Sequence, residues 1–252
     1  MIEQQPSAYA VSGGGRREFS PSTLARIIAG LYLFVVGCGI VGQSVIADRF
    51  IDSGDATRTA AEIIANKSFY RLAFTLFMFE MAAQLAMTVL YYRLLKPVSR
   101  SVAGISAVMG LVGSGIKAFA RLFYYVPLIL LSGAVYLSPV EPDALAALSL
   151  ASLKIGSQGA AIGLVFFGFE DVLRGWLIYR SEFLPRFLGV LSLIGGLGWL
   201  TFAWPPLGYS AFMFVALFAL VGVVLTTGWL LIRGVDDAKW IERARLAAMS
   251  LS

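Results

Sequence analysis

The sequence contains no histidine and a single cysteine, Cys38. An intramolecular disulfide needs two cysteines, and zinc sites, haem sites and acid–base catalysis rely heavily on Cys or His side chains. The composition therefore excludes disulfides within the chain, Cys/His zinc sites, His-ligated haem and catalysis by a histidine base. We predict no metal and no cofactor, and any chemistry must use Asp, Glu, Lys, Arg, Tyr, Ser or Thr.

Charged residues are also scarce. They make up 14% of the 252 residues, whereas hydrophobic residues make up 58% and the mean hydropathy is +0.79. A soluble domain averages about 25% charged residues. Several apolar stretches reach the roughly 20 residues that a helix needs to cross a bilayer. The sequence predicts an all-α fold, a polytopic bundle of transmembrane helices.

The apolar stretches define six spans within a transmembrane domain over residues 23–234. We predict the spans at about 24–46, 69–92, 101–126, 155–179, 185–204 and 209–232. Residues 1–22 are polar and lack the positive start and apolar core of a signal peptide, so we predict a disordered cytoplasmic tail. Residues 235–252 are predicted to form an amphipathic cytoplasmic tail helix.

Basic residues collect at the ends of the spans. The N-terminal side, the second and fourth loops and the C-terminal tail carry Lys or Arg, whereas the third and fifth loops (YLSPVEPDA and WPPLGY) contain neither. Cytoplasmic loops are enriched in Lys and Arg, so both termini are predicted to be cytoplasmic. The first loop fits this rule poorly, because its four basic residues are accompanied by Asp48, Asp52, Asp55 and Glu62. We assign the net charge of +5 to orientation and to binding of anionic lipid headgroups, not to nucleic acid.

Two short amphipathic helices are predicted at the membrane surface. The first follows Asp55, whose carboxylate can cap the free amides of the first turn, and carries Ala60, Ile63 and Ile64 on its apolar face. The second lies in the C-terminal tail around Trp240. Partner binding is an alternative role for that tail.

The segment FFGFEDVLRGWLIYR, residues 166–180, places Glu170, Asp171 and Arg174 inside the fourth span. One charged side chain at the centre of a bilayer costs about 2.5–3.5 kcal/mol, so three cost on the order of 8–10 kcal/mol. The eleven Leu, Ile, Val and Phe residues of 155–179 contribute roughly 3–7 kcal/mol in the opposite direction. As an isolated and fully ionised span this helix is not expected to insert, so its charges need partners.

Some partners lie within the fourth span itself. Arg174 follows Asp171 by three residues and Glu170 by four, which suits ion pairs along a helix. Arg174 also lies near enough to Arg180 to extend to the cytoplasmic headgroups. Glu170 and Asp171 are each either an additional counter-ion for another span or a protonated carboxyl.

Other partners lie on the second and third spans. Glu80, Gln84 and Thr88 follow one another at intervals of four residues and form one polar stripe, and Lys117 and Arg121 share a face of the third span. The sequence therefore predicts an ion pair between Glu80 and Lys117.

These charges have a structural and a functional interpretation. In the first they only lock three spans together. In the second they face a cavity for a proton, an ion or a small polar molecule, since ionisable residues within a membrane usually face one. We favour the second, with a polar cluster of Glu80, Gln84, Lys117, Glu170 and Asp171 and with Arg121, Lys154, Gln158 and Arg174 as secondary candidates. Lys154 and Gln158 are interpreted first as interface residues and second as a cavity entrance.

Small residues at short helical intervals predict close packing of the spans. They include Gly156, Gly159, Ala160 and Gly163 in the fourth span and Gly110, Ser114, Gly195 and Gly198 elsewhere.

Three segments resemble a known family. They are GDATRTAAEIIANKSFYR, YYRLLKPVSRSVAG and, above all, GAAIGLVFFGFEDVLRGWLIYRSEFLPRFLGVLSLIGGLGWL. Over about residues 24–232 the chain is similar to the bacterial membrane proteins grouped as domain-of-unknown-function 4386. The resemblance implies a six- or seven-helix bundle in the bacterial inner membrane and implies no particular activity. Members of that family commonly carry a histidine where this chain has Glu170 and another near Lys154, so a histidine-based role does not carry over.

Three classes of function remain open. The first is binding or transport of a proton, an ion or a small polar molecule, and the small size of the chain then favours a homo-oligomer. The second is a membrane enzyme acting on a lipid or isoprenoid at the cytoplasmic face, with Glu170 or Asp171 as acid–base and Arg174 or Arg180 binding phosphate. The sequence lacks an Asp-rich diphosphate motif and a Gly-rich phosphate loop, so we lean away from an enzyme. The third is an accessory or structural membrane subunit.

Overall fold

The computed structural model describes residues 19–249, so most of the predicted N-terminal tail and residues 250–252 lie outside it. Six helices in the described part are long and apolar enough to cross a membrane: α1 (Pro21–Phe50), α3 (Lys67–Leu95), α4 (Arg100–Leu130), α5 (Pro142–Arg180), α6 (Arg186–Ala203) and α7 (Pro205–Ile232). Two shorter helices are α2 (Ala56–Ala65) and α8 (Asp237–Met249). The described residues contain no strand, and the prediction of an all-α membrane bundle with six spans is confirmed.

Local sequence explains where several helices begin. The Ser20 hydroxyl accepts a hydrogen bond from the Thr23 amide at the start of α1, and Asp55 accepts one from the Arg58 amide at the start of α2. Each cap satisfies one of the free amides that every helix N-terminus leaves. The predicted cap at Asp55 is therefore confirmed.

The fourth span is longer than the sequence suggested. We placed its start at residue 155, but α5 begins at Pro142. Leu150 and Leu153 are buried in the additional turns, which pack against α2. On α2, Ile63 is fully buried within the protein, whereas Ile64 is 48% exposed. The apolar face of α2 therefore packs largely on other helices instead of lying wholly on the membrane surface.

Helix α4 continues past a proline inside its last turns. Pro127 has no amide hydrogen, so the Phe123 carbonyl four residues earlier loses its helical donor. The Ser152 hydroxyl of α5 lies 3.2 Å from that carbonyl oxygen and donates to it. A neighbouring helix thus compensates the break, which is how prolines are tolerated in membrane helices.

The six spans pack in sequence order and close into a ring. Each span contacts the next one along the chain, and α7 returns to contact α1. Glycines allow the closest approaches: Gly163 of α5 lies against the Gly113 carbonyl of α4, and on the opposite side Gly175 lies against Gly189 of α6. The predicted close packing is confirmed at Gly163, while a side chain at Gly195 would meet no atom within 4 Å.

The first and last described residues lie on the same side of the ring along the helix axes. We call this side the terminal end and the opposite side the far end. The Asp237 carboxylate accepts hydrogen bonds from the Ser22 amide and hydroxyl at 2.8 and 2.9 Å. Trp240 of α8 donates through its indole nitrogen to the Leu94 carbonyl at 2.8 Å. The tail helix is therefore attached to the ends of α1 and α3.

Helix α1 is irregular near the far end. Residues Ile40–Ala47 form a π-helical segment. Gly42 in this segment lies directly against the ring of Phe77 on α3, where a larger residue would collide. Ile40 and Ser44 of this segment line the central cavity.

Candidate functional site

The ring encloses a cavity of about 490 Å³. All six spans contribute to its wall, which contains Tyr32 and Ser44 of α1, Gln84 and Tyr91 of α3, Lys117 of α4, Phe167, Glu170, Asp171 and Arg174 of α5, Ser192 and Trp199 of α6, and Phe212, Ala216 and Thr226 of α7. The volume falls within the range of about 300–1,000 Å³ that ligand pockets occupy. Four of the five residues in the predicted polar cluster line this cavity.

The fifth residue, Glu80, contacts the cavity only through Lys117. The Lys117 ammonium lies 2.5 Å from Glu80 Oε1, and the Glu80 side chain is 4% exposed while that of Lys117 is 20% exposed. The predicted ion pair is therefore present. Gly39 of α1 faces the Glu80 carboxylate, and Glu80 Oε2 has no hydrogen-bond partner within residues 19–249.

The charges of α5 form a second group, nearer the terminal end. Arg174 makes ion pairs with Glu170, at 3.5 Å, and with Asp171. Thr88 of α3 donates its hydroxyl to Glu170 Oε1 at 3.3 Å. Two carboxylates thus share one guanidinium, and the polar stripe of α3 connects the groups: Glu80 binds Lys117 at one end and Thr88 binds Glu170 at the other.

Arg174 does not extend to the headgroups. Its side chain is only 7% exposed, and the guanidinium carbon lies 4.7 Å from the centre of the Tyr91 ring and 6.0 Å from that of Tyr32. The prediction that Arg174 extends to the cytoplasmic headgroups is wrong. Its side chain points into the ring of helices, where two carboxylates and two aromatic rings surround it. The local ion pairs, by contrast, are as predicted.

Arg121 belongs to a different polar chain, toward the far end. Its guanidinium lies 3.5 Å from the centre of the Phe77 ring and donates to Gln43 at 3.2 Å, and Gln43 in turn donates to Asp48 at 2.7 Å. Arg121 does not line the cavity. Its charge is held between the π segment of α1 and helix α3.

Lys154 and Gln158 lie apart from both groups. Each is exposed on the outer surface of α5, and neither lines the central cavity. These two residues therefore do not border this cavity, and α5 begins well before them, at Pro142.

Several residues of the site were not found from the sequence. Tyr32, Tyr91, Ser192 and Trp199 line the cavity, but a lone aromatic or hydroxyl residue in an apolar span gives no periodic signal. Thr88, by contrast, follows Gln84 by four residues, and this helical spacing placed it on the polar stripe of the second span. Within residues 19–249 no three Asp, Glu, Cys or His residues are grouped so that they could hold a metal ion.

The arrangement offers ion pairing, hydrogen bonding and aromatic contact, all inside the membrane domain. The two carboxyl groups that line the cavity, those of Glu170 and Asp171, both pair with Arg174. Such a wall is suited to hold a small charged or polar molecule.

Comparison with known proteins gives a family and no activity. A segment of 74 residues, 29% of this chain, is 34% identical to an uncharacterized protein of Archaeoglobus fulgidus, and the match spans 44% of that relative's length. No solved structure matches the chain. Residues 27–234 match the family described as domain of unknown function DUF4386. This match covers every residue that lines the cavity and all six spans except the first residues of α1, and the chain belongs to that family.

Proposed function

We propose that this multi-pass membrane protein binds a small ionic or polar solute in its central cavity and moves it across the membrane in exchange for, or together with, a proton. The observation that carries the proposal is the charged wall of a cavity of about 490 Å³ within the ring of spans. Charges that served only to clamp helices together would not need such a space beside them. Lys117, Asp171 and Arg174 instead border it from α4 and α5.

The proposal includes an orientation and a location. Lys96, Arg100, Arg180 and Arg186 lie at or next to helix ends at the terminal end of the ring. By the positive-inside rule we propose that this end, with both termini, faces the cytoplasm. Anionic headgroups would bind these side chains, and membership of the family favours the bacterial cytoplasmic membrane. A homo-oligomer is part of the same proposal, because the chain is small for a transporter.

The experiment that tests this function measures access of water to the cavity. In a Cys38→Ala background, single cysteines are introduced as Glu80→Cys, Lys117→Cys, Glu170→Cys and Asp171→Cys. A membrane-impermeant thiol reagent is then applied to right-side-out and inverted vesicles. Phe169→Cys is the matched control, because Phe169 lies beside these residues on α5 but is 47% exposed on the outside of the ring and does not line the cavity.

We expect position 171 and position 117 to be labelled from at least one side of native vesicles, while position 169 stays unlabelled in the lipid. Labelling at 171 that depends on the side of application would identify the entrance. If every one of these positions reacts only after denaturation, the charged residues have no access to water and serve only to hold the helices together. The proposal would then fail in favour of an accessory or structural subunit.

A further inference from the structure

We propose that the solute is a hydrophobic monovalent cation, which enters the cavity sideways through a gap between the far halves of α1 and α7. This inference rests on the proposed function and names the class of its ligand. It depends on three features of the cavity: its charge, its aromatic wall and its opening.

The charge of the cavity wall is unbalanced at α5. Glu170 and Asp171 share the single guanidinium of Arg174, whereas the charge of Lys117 is already paired with Glu80 at 2.5 Å. When both carboxyls are ionised, one negative charge therefore remains where α5 meets the cavity. Asp171 is the more accessible of the two carboxylates, since its side chain is 17% exposed against 3% for Glu170. A ligand with one positive charge complements this position, and an anion would be repelled there.

The rest of the wall suits the apolar body of such a cation. Tyr32, Phe167, Trp199 and Phe212 contribute aromatic rings. Aromatic faces attract organic cations, and quaternary ammonium groups are bound in this way.

The opening follows from how α1 and α7 diverge. At the terminal end both helices pack into one apolar core that includes Ile28 of α1 and Leu230 of α7. Toward the far end α1 turns to α3, where Gly42 meets Phe77, while α7 turns to the end of α6, where the rings of Tyr209 and Phe202 lie 5.4 Å apart. The two helices therefore separate, and the cavity lies between them.

Exposure of the lining residues supports a sideways entrance. Ile40 of α1 and Phe212 and Leu220 of α7 all line the cavity, yet they are 49%, 45% and 42% exposed. A side chain that both lines a cavity and is half exposed stands at its mouth. Because the mouth opens through the side of an apolar bundle, a molecule arriving there comes from the lipid, and this favours a cation with an apolar body over a hydrated inorganic ion.

In the absence of the cation, a proton can bind to Glu170 or Asp171 and neutralise the same negative charge. The charged and titratable groups that face Glu170 and Asp171 are Arg174 on α5, Tyr32 on α1 and Tyr91 on α3, with Lys117 of α4 further along the wall. Competition between one cation and one proton weakens cation binding as the pH falls, by up to about tenfold per pH unit. This exchange would couple transport to the proton gradient.

The test compares two probes of nearly the same shape and opposite charge, tetraphenylphosphonium and tetraphenylborate. Their binding to the purified protein in a non-ionic detergent is measured by equilibrium dialysis, with protein-free micelles as the blank. We expect saturable binding of tetraphenylphosphonium that weakens at lower pH, and no saturable binding of tetraphenylborate. Equal binding of both ions would mean simple partition into apolar surface and would overturn the proposal.

Two pairs of variants locate the site. Asp171→Asn should weaken tetraphenylphosphonium binding at least tenfold, whereas Glu242→Gln, which removes an exposed carboxylate on α8, should leave it unchanged. Ala216→Trp fills the mouth and should also weaken binding at least tenfold. Its matched control is Leu217→Trp, which adds an indole to the neighbouring residue on the lipid-facing side, where Leu217 is 60% exposed. Binding that both Asp171→Asn and Ala216→Trp leave intact would contradict the inference.

The outcomes separate this inference from the proposed function. If position 171 is labelled in vesicles but tetraphenylphosphonium does not bind, the cavity is a solute site for another class of ligand and only the inference fails. If no cavity position is labelled and tetraphenylphosphonium does not bind, both fail. Binding that Ala216→Trp abolishes and Leu217→Trp preserves supports the inference even where Asp171→Asn does not yield folded protein.

Discussion

Gly110 determines where the carboxyl group of Glu170 can lie. A Cβ atom added at Gly110 would lie 2.5–2.6 Å from the Glu170 carboxyl carbon and oxygens. The same carboxyl accepts the Thr88 hydroxyl and pairs with Arg174. The missing side chain on α4 therefore provides the space in which a buried carboxylate of α5 reaches its partners. A buried ion pair is stabilising only where its geometry and hydrogen bonds are satisfied together.

We expect Gly110→Ala to lower the free energy of unfolding by about 1–3 kcal/mol, the usual cost of overpacking a filled interior. The added methyl group must displace the Glu170 carboxyl, which weakens its contacts with Thr88 and Arg174. The measurement is unfolding by a denaturing detergent in mixed micelles, followed by tryptophan fluorescence. Gly115→Ala is the control on the same helix, because a Cβ at Gly115 meets no atom within 4 Å. Equal effects of the two substitutions would show that Gly110 has no special relation to Glu170.

At the level of helices, the end of α4 depends on its neighbour. Pro127 removes the donor for the Phe123 carbonyl. The Ser152 hydroxyl of α5 shares its one proton between that carbonyl, at 3.2 Å, and the Ser149 carbonyl of its own helix, at 2.8 Å. The core of a bilayer contains no bulk water that could donate a hydrogen bond to a free carbonyl. A side chain from a neighbouring helix can supply that hydrogen bond instead. The contact joins α4 and α5 at the far end, beyond the glycine contacts in the middle of both helices.

Replacing this hydroxyl should therefore have an effect that depends on the proline. We expect Ser152→Ala to lower the free energy of unfolding by about 0.6 kcal/mol, the average measured for hydrogen bonds between membrane helices, and by no more than about 1.7 kcal/mol, the largest such value. In a Pro127→Ala background the same substitution should cost markedly less, because the backbone amide at 127 then satisfies the Phe123 carbonyl. A double-mutant cycle in mixed micelles gives the coupling. Additive effects would mean that Ser152 does not compensate the proline.

Features set by local spacing were predictable from the sequence, and features set by assembly were not. Intervals of four residues predicted the stripe of Glu80 and Gln84 and the ion pair with Lys117, and Asp55 predicted a helix cap. The start of α5 was missed because the turns before residue 155 are held by packing on α2. The burial of Arg174 was missed because it depends on which neighbouring helices enclose the residue. The cavity itself could not be predicted from the sequence, because residues from all six spans form its wall.

At the scale of the whole molecule, the ring explains how charged residues are kept in a membrane helix. The carboxylates of Glu170 and Asp171 do not face lipid, because α5 lies between α4 and α6 and turns its charged face to the interior. The lipid-facing surface of α5 carries apolar residues such as Phe169 and Trp176, which are 47% and 41% exposed. The cost of the charges is thus offset by partners and polar space that exist only after the spans have assembled.

This dependence on assembly predicts different behaviour for α5 alone and α5 in the full chain. Residues 155–179 placed as a test segment in a host protein should insert poorly into microsomal membranes, because three charges cost on the order of 8–10 kcal/mol against roughly 3–7 kcal/mol from the apolar side chains. Glycosylation of acceptor sites on either side of the segment reports insertion. The same segment with Glu170→Leu, Asp171→Leu and Arg174→Leu should insert efficiently, and the unaltered segment should span the membrane within the full chain. Efficient insertion of the unaltered segment alone would mean that the ion pairs within α5 suffice without the ring, since Arg174 would then compensate both carboxylates before any other helix is in place.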